Sequence, residues 1–271
     1  MHRSLRAGAA AVVATLVCSS AVHAQQRMVT ATVTNLAPSN SVSFAPFHVG
    51  FHSGLFDPFN IGQVAGAGII TVAEGGSGTQ WQADLAAIDP TATRGTIGGL
   101  LQPGQSASMT FNVDVGLNRY FSFGAMVVPS NDFFIGNDNP LQLFNGTGDL
   151  LISSIFQTTN QIWDAGSEIF DPLAAAFVGT NALRTPQGSV VALNFAELEG
   201  FNGLTTGAGY QFNSQLASQQ NVYRIDFTSS PVTTVPEPSS VALMGAGLAS
   251  LGWFARRRRA ATAALPSSAK A

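Results

Sequence analysis

The chain has 271 residues, 45% of them hydrophobic, and only 10% carry charge. Between residues 25 and 234, five arginines and no lysine stand against 14 Asp and Glu, a formal charge of −9; such a domain is a poor nucleic-acid binder and suits cations. The one cysteine, Cys18, lies near the start, so disulfides, thiolate zinc sites and cysteine nucleophiles are excluded from the rest.

Arg3 and Arg6, the apolar run 7–17 and Val22-His23-Ala24 read as a secretory signal peptide over 1–24, cut after Ala24. Val17 is too bulky before Cys18 for a lipid-anchor signal. Residues 25–230 then have the length of one domain with one sizeable core.

Strand signals dominate that domain. Residues 28–34 alternate, with Val29, Ala31 and Val33 on one face and threonines on the other. The segment 106–115 alternates likewise, which sends Ala107, Met109, Phe111, Val113 and Val115 inward. Residues 120–128 form an apolar run suited to a strand buried on both sides. Asn145-Gly146 reads as a tight hairpin turn, and 190–196 and 222–228 as further strands.

Helix signals are few. Asp57-Pro58 and Asp171-Pro172 each resemble an N-cap followed by proline, and Trp81, Leu85 and Ile88 have helical spacing over a brief segment. The pattern predicts an all-β fold, an antiparallel β-sandwich with short helices in its loops. A Ser/Thr/Pro linker over 228–234 and the segment 231–238 lead to the tail.

In the tail, Pro236-Glu237-Pro238 precedes an apolar stretch over 240–254, then Arg256, Arg257, Arg258 and Arg259, with residues 260–271 beyond. The stretch is shorter than the ~20 residues of a comfortable span, and the arginines hold their end in the cytoplasm. This order over 235–259 resembles the PEP-CTERM sorting signal, with a sorting helix and arginine cluster at 239–259. The resemblance implies processing by an exosortase in an exopolysaccharide-making Gram-negative bacterium. It also implies membrane contact through the tail before processing, then a cell-surface or matrix location. A permanent tail anchor is the alternative.

Three stretches of the domain carry a second resemblance. Asn35-Leu36-Ala37-Pro38 leads through Phe44-Ala45-Pro46 and His52 to Leu55-Phe56-Asp57 and Ile61-Gly62-Gln63. Pro129-Ser130-Asn131-Asp132-Phe133-Phe134 closes the long apolar strand, and Trp163-Asp164-Ala165-Gly166-Ser167-Glu168 follows the hairpin. The series resembles the bacterial form of the spondin N-terminal domain, with Ser167 in place of the usual threonine; residues after 179 match less closely. The resemblance implies a C2-like sandwich with a bound calcium ion, an adhesive role and no catalytic activity.

The carboxylates that carry it are Asp132, Asp164 and Glu168, which with backbone carbonyls can supply the oxygens calcium needs. The other reading of Asp132 and Asp164 is that they cap turns. Asn137-Asp138-Asn139 has no EF-hand spacing and reads as a solvated turn. His48 and His52 are four apart, but the surrounding Pro46, Gly50 and Gly54 argue against a helix that would align them, and they read as structural. No Gly-x-Ser-x-Gly elbow accompanies His52, and Gly75-Gly76-Ser77-Gly78 lacks the lysine of a phosphate loop.

The expectation is therefore an exported, non-enzymatic surface or matrix protein with a calcium-binding adhesion domain. Its expected partners are an exosortase and exopolysaccharide or matrix proteins. The alternative is a carbohydrate-binding module acting on exopolysaccharide, with Phe133, Phe134 and Trp163 as its platform.

Overall fold

The computed structural model describes residues 25–178, 181–232 and 238–263, with side chains of the last segment described for 244–257. The signal segment 1–24 and residues 233–237 lie outside the described residues. Contacts divide the chain into two compact units, Met1–Pro231 and Val232–Ala271.

The first unit is built on two antiparallel sheets. The smaller contains β1 (Gln26–Asn35), β5 (Ser106–Asp114), β9 (Ser154–Thr158) and β12 (Asn221–Pro231) in the order β5-β1-β12-β9. The larger contains β3 (Phe47–His52), β4 (Thr93–Ile97), β6 (Tyr120–Val128), β7 (Phe133–Gly136), β10 (Ile162–Asp164) and β11 (Ala192–Leu193). Its order is β11-β10-β7-β6-β3-β4, with the short β2 (Ser43–Phe44) and β8 (Leu141–Gln142) also paired to β6.

The period-2 pattern is realised directly. Val29, Ala31 and Val33 of β1 are fully buried. On the opposite face Thr30, Thr32 and Thr34 exchange hydroxyl hydrogen bonds with Thr110, Ser108 and Ser106 of β5 at 2.8, 2.8 and 2.9 Å. Phe111, Val113 and Val115 turn inward as expected, but Met109 is 39% exposed because β5 is an edge strand. A ring of aromatics, including Phe44, Phe47, Phe121, Phe123 and Tyr223, fills the space between the sheets.

A third layer covers the outer face of the larger sheet. Helices α1 (Ala67–Gly75) and α2 (Thr79–Ile88) pack there around Ile69, Val72, Trp81 and Leu85, against Phe134 and Trp163 of the sheet. This layer is why β6 is buried on both sides. The sequence hinted at α2 through Trp81 and Leu85, whereas the run Ile69-Ile70-Thr71-Val72 of α1 has β-branched residues that favour strand. Close approach needs Gly50: a Cβ there would stand 2.2 Å from Leu85 Cδ2.

Four local expectations change. Asp57-Pro58 starts no helix; Asp57 instead accepts a hydrogen bond from Asn60. Asp171-Pro172 opens a turn, with Asp171 Oδ1 accepting from the Leu173 amide at 2.9 Å. The Asn145 hairpin is longer than two residues, closes at Phe144↔Leu150, and places its positive φ at Gly148. The strand expected over 190–196 shrinks to Ala192–Leu193, while the last strand runs on to Pro231, paired with Arg27.

In the second unit, α3 (Pro238–Ala263) contains the apolar stretch and the arginines. Its 26 residues rise about 39 Å at ~1.5 Å each, but the arginines shorten the apolar part. Among the described residues, no helix is long and apolar enough to cross a membrane.

Candidate functional site

The register of β7 and β10 brings the two acidic motifs together. Asp164 pairs with Phe133, so the chain entering β7 at Asp132 lies beside the chain leaving β10. The Ala165 amide donates to the Asp132 carbonyl at 3.1 Å. Asp164 Oδ1 then accepts from the Gly166 amide at 2.7 Å and turns the chain. Gly166 takes φ +65°, and a Cβ there would lie 2.8 Å from the Ser189 backbone, so both conformation and space require glycine. The turn aims the amides of Ser167 and Glu168 at Asp132 Oδ2, at 2.6 and 2.9 Å, and the Ser167 hydroxyl adds a third bond at 3.1 Å.

Asp132, Asp164 and Glu168 border one cavity of about 200 Å³. Asn131, Asn194 and Glu197 also line it. Asn194 donates to Asp164 Oδ2 at 3.2 Å, and Asn131 ties the rim to Asp171 through its side-chain amide. The segment after Gly166 folds back over the site, with the Gln187 amide bonded to the Ser167 carbonyl and the Ser189 amide to the Gly166 carbonyl.

The carboxylates are unevenly satisfied. Asp132 Oδ2 has three donors, whereas Oδ1 has none among the described residues. Glu168 Oε1 pairs with Arg184 at 3.2 Å, and Glu168 Oε2 is buried without a hydrogen-bond partner. Burial first, and then the charge of Asp164, push the Asp132 carboxyl up to about 6, against the opposing hydrogen bonds. Burial pushes Glu168 up to about 7; Arg184 opposes this, Glu74 and Asp132 add to it, and the Asn131 side chain beside it opposes it slightly. Burial is the main cause of both shifts, and the neighbouring carboxylates add to it.

A calcium ion fits the chemistry of this donor set: hard oxygens, an excess of negative charge and an orphaned carboxylate oxygen. The geometry is only partly prepared. Among the described residues, no three His, Cys, Asp or Glu side chains already stand as a gathered ligand set. Asp132 and Asp164 also perform the turn-capping that was the other reading of these residues.

The histidines are structural partners. The Gly54 amide donates to His52 Nδ1 at 3.1 Å, so Nε2 carries the hydrogen and donates to Ser122 Oγ at 3.0 Å. A histidine in that tautomer cannot act as base toward Ser122. Burial pushes His52 down to about 4, so it is neutral at pH 7. His48 Nε2 donates to the Gly76 carbonyl at 2.9 Å and Nδ1 faces the Thr96 hydroxyl.

The aromatic platform expected beside the acidic motifs is not on the surface. Phe133, Phe134 and Trp163 are 3%, 0% and 7% exposed, because β7 and β10 are interior strands with side chains in the two cores. The segment Asn137-Asp138-Asn139 lies apart from the acidic cavity, and Asn137 uses its amide to hold β6.

Sequence reasoning did not find Glu197, Asn194 or Arg184. Glu197 and Asn194 fall where the spondin resemblance thins. Arg184 did leave a signal: it is the one basic residue between 120 and 223, a stretch with eight carboxylates.

A β-sandwich unit and a separate apolar, arginine-ended helix define a domain with a sorting tail. The PEP-CTERM protein-sorting motif matches residues 234–259, which makes this an exported, exosortase-sorted protein with a membrane-anchored intermediate. Within that tail, Pro236 and Glu237 lie outside the described residues; Pro238 opens α3 and Arg257 stacks over Trp253 at 4.2 Å. Arg256 is helical and exposed, and Arg258 and Arg259 are helical. The spondin resemblance gains no support from a family match, and no curated protein matches the chain.

Proposed function

We propose that residues 25–230 form a non-enzymatic, calcium-dependent adhesion domain of spondin type, carried to the cell surface or matrix by the sorting tail. The observation that supports it is the single cavity bordered by Asp132, Asp164 and Glu168, with Glu168 Oε2 buried and unpartnered. A buried polar atom without a partner costs about 1–3 kcal/mol, more when charged, and a cation is the partner such an oxygen lacks. Calcium draws the three carboxylates together and relieves the repulsion between Asp132 and Asp164. The His52 tautomer favours a binding rather than a catalytic role.

Thermal melts of the exported protein in calcium and in chelator test this. A ligand at a hundredfold excess over Kd adds about 2.7 kcal/mol to folding, worth several degrees at roughly 2–4 °C per kcal/mol. Asp164→Asn should lose most of that gain and Asp138→Asn, an equal charge change elsewhere, should keep it. A melt indifferent to calcium, or two variants that lose the shift equally, leaves the motifs as turn-capping structure.

A saccharide-binding role has its own support at a different surface from the aromatic motif. Two grooves that share Asn40, of about 270 and 440 Å³, are lined by no carboxylate and no base. The side-chain amides of Asn40, Gln102, Gln211 and Asn213 line these grooves, and each can both donate and accept. Titration with neutral oligosaccharides, on wild type and on Asn40→Ala with Gln211→Ala, should show binding that the double variant loses; no binding to wild type removes this reading.

A further inference from the structure

Arg184 holds Glu168 and is itself held elsewhere. Its Nη1 lies 3.2 Å from Glu168 Oε1 and 3.9 Å from Glu74 Oε2. Its Nη2 donates to the Glu74 carbonyl at 2.6 Å. Glu74 is the penultimate residue of α1, so that carbonyl belongs to the helix C-terminus, where partial negative charge favours a cation. The guanidinium therefore has two anchors, and only one of them, Glu168, borders the acidic cavity.

The ion pair is incomplete on both sides. The Glu168 side chain is 3% exposed and its Oε2 has no partner; Arg184 is 19% exposed and its Nε has none. A buried carboxylate is costly without compensation, so whenever Glu168 is ionised in the folded domain a positive charge beside it is strongly favoured. Arg184 supplies it in the absence of a metal. A divalent ion on Glu168 brings two positive charges next to the guanidinium, and like charges at that range repel strongly where water is scarce.

We propose that Arg184 is a tethered counter-cation that competes with calcium for Glu168, a statement that rests on the calcium reading above. When calcium binds, Arg184 gives up Glu168 and keeps Glu74 and the end of α1. The exchange costs the domain little because the second anchor is already in place. It keeps the rim folded when calcium is scarce and raises the calcium concentration at which the site fills.

Calorimetric titration of the exported protein with calcium chloride tests the exchange. Arg184→Gln should tighten calcium at least tenfold. Arg224→Gln, which removes the same charge from the Arg224–Asp226 pair on the smaller sheet, should stay within twofold of wild type. Glu74→Gln removes the charged part of the second anchor and leaves the bond to the Glu74 carbonyl, so it should weaken calcium about threefold, while Asp84→Asn on α2 removes an equal charge and should weaken it less. If Arg184→Gln and Arg224→Gln bind alike while wild type binds calcium, the exchange is wrong and the calcium site stands. If neither wild type nor Arg184→Gln takes up calcium, the calcium reading itself falls. Should circular dichroism show Arg184→Gln unfolded, Glu74→Gln against Asp84→Asn decides, and equal affinities there overturn the exchange.

Discussion

Two buried polar centres of this domain use the same kinds of residue and end in different states. Around His52, every polar group has a partner. His52 uses both ring nitrogens, Asp89 accepts from the Ser53 and Thr91 amides and the Thr91 hydroxyl, and Asn118 closes the set on Thr91. At the acidic rim, by contrast, Glu168 Oε2 and Arg184 Nε are left over. A Ser–His contact with an aspartate nearby invites a catalytic reading, yet complete pairing and the tautomer make it scaffold. The rim invites a capping reading, yet its incomplete pairing supports the proposed ligand. Satisfaction of hydrogen bonds separates the two better than residue identity does.

The largest expected effect breaks the scaffold side of this contrast. His52→Ala leaves Ser122 Oγ with only its 3.3 Å bond from Asn137, orphans the Gly54 amide and opens a cavity, which should cost about 3 kcal/mol. That is about 6–12 °C in melting temperature for a domain of this size. The loss should be equal in calcium and in chelator, since the centre takes no part in binding. A loss confined to one condition would join the two centres.

Asp132→Ala should cost somewhat less, about 2 kcal/mol, by orphaning the Ser167 and Glu168 amides. Here the calcium-induced shift should vanish as well. Paired melts in calcium and chelator separate the two signatures, and retention of the full calcium shift in Asp132→Ala contradicts a metal role for this residue.

Acid sharpens the comparison because the centres respond with opposite sign. His52 is held neutral, down to about 4 from an ordinary value near 6.5. Its contribution to stability is present above pH ~6.5 and lost as pH falls through about 4. Asp132 and Glu168 are raised to about 6 and about 7. Their contribution is fully present below their ordinary values near 4 and lost as pH rises through 6 to 7. In chelator, the rim should therefore lose a few degrees between pH 5 and pH 8. In calcium that trend should flatten or reverse, because the ion needs both carboxylates ionised. Melts across this range in both buffers check it, with His52→Asn to remove the opposing contribution. The smallest effect belongs to Asp138→Asn, which should change stability by less than about 0.5 kcal/mol and leave the calcium shift intact.

Much of the architecture was legible because it obeys short rules. Alternation in 28–34 and 106–115 became β1 and β5, and the largely apolar run over 120–128 announced a strand covered on both faces. What covers it was harder to read. Alternation reports which faces are buried and is silent on whether sheet or helix does the burying; the β-branched Ile69, Ile70, Thr71 and Val72 point to strand, and only packing against the outer sheet makes them helical. Proline after aspartate at 57 and 171 marks turn chemistry that serves helices and loops equally.

The rim divides in the same way. Asp132, Asp164 and Glu168 were visible because local motifs place them, and Gly166 is fixed by its positive φ and by its backbone contact with Ser189. Glu197 and Arg184 reach the rim through tertiary folding of 170–201, a stretch whose described residues have little regular structure and whose sequence has no periodicity to read. The aromatic residues were visible too, but the sequence could not show that Phe133, Phe134 and Trp163 belong to interior strands.

Every calcium-dependent expectation above rests on the proposed calcium ion at the acidic rim. A crystal structure of the exported protein grown in calcium, with anomalous scattering to identify the ion, tests it most directly. One anomalous peak is expected in the cavity, within about 2.3–2.6 Å of oxygens from Asp132, Asp164 and Glu168, with Arg184 withdrawn toward Glu74. Saturating calcium with no peak there, and with the Glu168–Arg184 pair unchanged, would contradict it.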